Sequence, residues 1–237
     1  MFLYFIPYIY FILSWLMPLL TAGGRKGFQY GAFCGLIFGT ISSQIYCLAV
    51  TLWLMKLSGI TEEEIGFSKI SKLWSGEAVF AVGLGVAWWL GLELSLAALN
   101  YYFTLGVGAA FKISLRFEDM GVFPASYRAL KYLILSPVVE EVFFRGFLLT
   151  FLLKKGSFTK SLLLSSFIFA LYHFTLGDFF AGSFLWKSGR VLSDFPPIFL
   201  SGIIYGLLYK KYRSIWIPFA AHLTYNLFAT NIHISML

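Results

Sequence analysis

Six side chains in this apolar chain have the types and spacing to do chemistry together. "SPVVEEVFFRG" (136–146) sets Glu140, Glu141 and Arg145 among Val, Phe and Leu; "FALYH" (169–173) ends on His173; "HLTYN" (222–226) carries His222 and Asn226. An ionisable residue inside an apolar helix is costly to keep, so function is the default reading of the glutamates. On a helix Glu141 and Arg145 are i and i+4, on one face and in the favourable Glu-first order. Glu140 points about 100° away and lacks that partner. His222 and Asn226 are also i and i+4, so they share a face. A carboxylate can take a proton from water, and one imidazole can help hold that water. The other imidazole and the Asn amide can donate hydrogen bonds to an oxygen that gains negative charge. Such a set suits hydrolysis of an amide bond, with no metal and no cofactor. There is no Ser-Lys or Gly-x-Ser-x-Gly signal for a covalent route.

Two other chemistries use the same residues. Glu and His relays are typical of proton- or ion-coupled transporters, although no repeat symmetry is visible. Glu140, His173 and His222 could also serve as the ligands of a zinc-dependent membrane protease, although the His-Glu-x-x-His motif is absent. Glu93, alone in "GLELSL", reads as structural or interfacial.

The elements that must position these groups are helices in a bilayer. The chain of 237 residues is 59% hydrophobic and 12% charged, and several runs reach the ~20 apolar residues that cross a membrane. Barrel strands would alternate apolar with polar residues, and these runs do not. The expected fold is an all-α, polytopic membrane helix bundle with the site in a cavity between helices. About seven spans are expected, at 2–20, 28–55, 77–108, 129–153, 159–176, 195–209 and 214–231; an eighth follows if the third hides a break. The first is read as a retained span, because no basic segment precedes it. "FKISLRFEDM" (111–120) reads as an interfacial helix. Pro137 is expected to kink the fourth span. No repeat or soluble insertion divides the chain, which reads as a single membrane domain over 1–237. The expected setting is a multi-pass protein of the cell membrane.

The net charge of +7 sits mostly at span ends and, without an aromatic platform, does not point to nucleic acid. Lys and Arg divide almost evenly between alternate loops, so charge does not orient the chain. At ~1.5 Å of rise per residue, Glu140, His173, His222 and Asn226 fall roughly 10–17 Å below one membrane face, although they come from three helices. Convergence at one depth is what a shared site requires.

At these residues the sequence resembles the CAAX-protease and bacteriocin-processing family, glutamic intramembrane proteases that include the prenyl-protein endopeptidases. "EEVFFR" (140–145) looks like its Glu-Glu-x-x-x-Arg, "FALYH" like its Phe-x-x-x-His, "FLSGIIYG" (199–206) like its Phe followed by Gly seven positions on, and "HLTYN" like its His-x-x-x-Asn. The resemblance covers about 130–231. It implies that Glu140 and His173 activate water, that His222 and Asn226 form the oxyanion site, and that Glu141 and Arg145 support them. It also implies a membrane-associated protein or peptide as substrate, with or without a lipid modification.

Overall fold

The computed structural model describes residues 25–103, 111–115, 134–174 and 184–236. Six helices follow in order through these residues. α1 (Arg25–Leu57) leads through a loop and a short 3-10 turn (Ile70–Trp74) into α2 (Gly76–Phe103). α3 (136–153) is a composite: α-helical over Ser136–Glu141, wound as a wider π-helix over Val142–Leu149, and α-helical again over Thr150–Leu153. α4 (Phe158–Tyr172), α5 (Phe184–Tyr212) and α6 (Trp216–Asn231) complete the set. The helical class is as expected, and the six helices among the described residues overlap the second to seventh expected spans. The first expected span, 2–20, lies outside the described residues.

The expectation of an interfacial helix over 111–120 is corrected. Phe111–Leu115 is a strand, β1, paired antiparallel with β2 (Ile232–Met236), with Phe111 opposite Met236 and Leu115 opposite Ile232. "FKISL" and "IHISM" both alternate apolar with polar residues, a period of two that suits a strand better than a helix. Residues 116–120 lie outside the described residues.

Among the described residues one helical segment, Gly76–Ser95, is long and apolar enough to cross a membrane; Ile41–Leu57 and Phe158–Tyr172 are shorter apolar helices. The apolar runs of α3 and α5 are interrupted in different ways: α3 buries Glu140, Glu141 and Arg145 in its interior, and α5 contains Pro196 and Pro197. Pro137 sits in the first turn of the Ser136–Glu141 segment, where its missing N–H costs little.

Small residues set how closely the helices approach. A Cβ placed on Gly85 of α2 would lie 2.5 Å from the Ala221 carbonyl oxygen of α6. Around that contact Ala78, Ala81, Tyr205, Leu208, Ile217, Ala220 and Ala221 form one buried cluster. On α5 a Cβ at Gly202 would lie 2.9 Å from Ser166 Cβ and 3.0 Å from Ser166 Cα, and one at Gly206 would meet the flexible end of Leu162. Gly85→Ala must therefore move backbone, and should cost about 1–3 kcal/mol. Gly206→Ala needs only a rotamer change. Paired melting curves in one detergent check the order; equal losses would mean that the α2–α6 contact is not the tight one.

The loop 58–69 closes the end of the bundle where α3 finishes and α6 begins. Ile65 is fully buried, and a Cβ on Gly146 of α3 would lie 3.2 Å from it. Gly66 takes φ +67° and passes so close to the Arg213 carbonyl that no side chain fits. Trp216 Nε1 donates to the Phe67 carbonyl at 2.6 Å, Lys69 Nζ to the Arg213 carbonyl at 3.2 Å, and Lys154 Nζ to the Gly59 carbonyl at 2.9 Å. The Thr61 backbone N–H and the Lys154 ammonium hold the exposed Glu64 carboxyl below the usual carboxylate range.

Candidate active site

α3 carries three ionisable side chains into the interior, and its winding changes where they lie. The wider turns over Val142–Leu149 surround Arg145, and the Thr150 hydroxyl donates to the Arg145 carbonyl at 3.2 Å. Single-turn π-bulges occur often at functional positions, and this wider stretch runs to eight residues. Arg145 Nη1 donates to Glu141 Oε1 at 3.1 Å, with both side chains at most 2% exposed. Its Nη2 donates to the Gly202 carbonyl of α5 at 3.3 Å, and its guanidinium lies 4.4 Å from the ring centre of Phe169 on α4. Arg145 thus ties three helices to one carboxylate.

The same Glu141 oxygen holds a second group. His222 Nδ1 of α6 lies 2.9 Å from Glu141 Oε1. A carboxylate paired with Arg145 can only accept, so Nδ1 carries the hydrogen and Nε2 faces away. His173, at the C-terminal end of α4, is fixed in the same sense: its Nδ1 lies 2.8 Å from the Phe169 carbonyl, an obligate acceptor. Both rings then present Nε2 to one atom. Glu140 Oε2 is 3.8 Å from His173 Nε2 and 3.8 Å from His222 Nε2. That oxygen is buried and has no hydrogen-bond partner among the described residues.

The structure therefore brings Glu140, Glu141, Arg145, His173 and His222 into one cluster from α3, α4 and α6. Their exposure is graded: His173 is 30% exposed, Glu140 11% and His222 5%. Asn226 stands one turn beyond His222 on α6, half-buried, and its backbone carbonyl accepts from the Thr230 hydroxyl at 2.6 Å. Among the described residues no three His, Cys, Asp or Glu side chains are arranged to hold a metal ion.

Residues 123–228 match the family model described as type II CAAX prenyl endopeptidase Rce1-like. Over these residues the chain is similar to that family. The family is one of proteases, hydrolases that act on peptide bonds in peptide or protein substrates. No curated protein and no solved structure matches the chain. Within the matched residues fall all six residues singled out from the sequence, from Glu140 to Asn226.

Three residues of this neighbourhood escape a reading of ionisable groups. Phe169 supplies both the carbonyl that fixes His173 and the ring beneath Arg145. Gly202 supplies a carbonyl to Arg145, and Tyr205 stacks on His222 at 4.9 Å. Phe169 is the first residue of "FALYH"; Gly202 and Tyr205 lie inside "FLSGIIYG", between Phe199 and Gly206.

Proposed function

We propose that the chain is a multi-pass membrane endopeptidase that hydrolyses a peptide bond with water activated by a glutamate. The observation that supports it best is Glu140 Oε2, buried without a hydrogen bond among the described residues and equidistant, at 3.8 Å, from two imidazole nitrogens. A gap of 3.8 Å is too long for a direct hydrogen bond and suits an intervening polar atom.

The tautomers support a division of roles. Glu140 and His173 Nε2 are both acceptors, so together they take the two hydrogens of one water. Its lone pair is then directed at the substrate carbonyl. Glu140 receives the proton as the water attacks and can return it to the leaving amine. The carbonyl oxygen becomes an oxyanion and needs donors. Asn226 supplies one from its amide. His222 supplies another from Nε2 when that nitrogen also carries a proton. Glu141 and Arg145 hold that ring in place. The substrate is a membrane-associated protein or peptide, with or without a lipid modification.

Comparison of membrane peptides from cells carrying wild type and Glu140→Gln tests the function. Fragments present only with wild type support it; identical peptide sets would remove it. A finer test addresses Asn226. Loss of one oxyanion donor typically costs on the order of 10²-fold or more in turnover. Asn226→Ala should fold and show that loss in a purified assay, and near-normal turnover would remove Asn226 from the site.

A further inference from the structure

Tyr205 of α5 has no part in the chemistry above, yet it touches the group on which that chemistry turns. It is 1% exposed, and its ring lies over the His222 imidazole with centroids 4.9 Å apart and planes 20° from parallel. The Arg145 guanidinium lies 5.2 Å from the same ring centre. The Tyr205 hydroxyl is buried and meets no hydrogen-bond partner among the described residues. The flat ring, not the hydroxyl, is what Tyr205 brings to His222, and Phe would present the same face without burying a bare O–H.

The contact matters because a single hydrogen bond does not fix a ring. With only Nδ1 held by Glu141, the imidazole can still tilt about that bond and carry Nε2 out of line with Glu140. A flat ring at stacking distance closes that motion.

We propose that Tyr205 is a positioning residue: it fixes the plane of the His222 imidazole while Glu141 fixes its Nδ1, so that Nε2 stays aimed at the reacting atoms. The inference rests on the peptidase reading for its kinetic consequence and on the structure alone for its conformational one. The test therefore has two arms, using the full chain purified in detergent. The chain has three histidines. In ¹⁵N-histidine spectra, with His222 assigned by replacing His173 and His233 in turn, wild type should show one sharp ring with Nδ1 protonated. Tyr205→Phe, which keeps the flat ring, should show the same spectrum and melt at least as high as wild type. Tyr205→Leu should show averaged ring signals, and Tyr205→Met serves in its place if the Leu variant does not fold. In the kinetic arm the aliphatic variant should lose kcat on the order of 10- to 100-fold, as for a misplaced catalytic group, with KM nearly unchanged and the Phe variant close to wild type. An unaltered His222 spectrum in the folded aliphatic variant would overturn the proposal, and so would averaging in Tyr205→Phe. If wild type cleaves no peptide, the peptidase reading falls while the spectra still decide the role of Tyr205.

Discussion

Glu140→Gln should stop peptide cleavage and leave the protein folded. The substitution keeps the shape of the side chain and removes its capacity to take a proton. Proton transfer by a positioned side chain typically contributes 10²–10⁴-fold, so turnover should fall on the order of 10³-fold. Stability should stay near wild type or rise. Glu140 Oε2 makes no hydrogen bond among the described residues, and a carboxylate in that position is poorly compensated. An amide is cheaper to bury there. Turnover of a synthetic peptide, measured beside the melting temperature of the same preparation, checks both halves. A folded Glu140→Gln that keeps a tenth of wild-type turnover would show that another group activates the water.

Glu141→Ala and Arg145→Ala should fail differently, by losing the fold. Each partner is almost fully buried at 3.1 Å from the other. Removing one strands the remaining charge, which typically costs about 3–5 kcal/mol. A marginally stable protein loses much of its folded population at that cost. The two variants should not be equivalent. Arg145→Ala leaves Glu141 with the His222 ring at 2.9 Å, whereas Glu141→Ala leaves the guanidinium only the Gly202 carbonyl and aromatic faces. Glu141→Ala should be the less stable, and whatever fraction folds should also turn over slowly, because His222 has lost the acceptor on Nδ1. The Glu141–His222 hydrogen bond is what adds this second loss to the first. Thermal unfolding in one detergent, with turnover normalised to folded protein, separates the two effects. Wild-type stability for Glu141→Ala would mean that the buried pair is not what holds α3 in place.

Much of the site was legible because it depends on short-range helix geometry. Glu141 and Arg145 are four residues apart, and any helical winding near 3.6 residues per turn sets them side by side. The same rule turns Glu140 away from Arg145. Apolar runs marked the helices and polar interruptions marked what they carry, because burying an ionisable group without purpose is costly.

Tertiary structure alone decided how the helices share these groups. His222 lies 81 positions from Glu141, and nothing local foretells that its Nδ1 takes the carboxylate oxygen that Arg145 already holds. The meeting of His173 and His222 at Glu140 depends on approach distances set elsewhere, by Gly85 against Ala221 and Gly202 against Ser166. The π winding over Val142–Leu149 is likewise not announced by the residue types of α3. The strand at 111–115 shows the same limit. Its alternation is present in the residues, but an isolated strand leaves its backbone groups unpaired. Only Ile232–Met236, brought alongside by the fold, makes that alternation a strand.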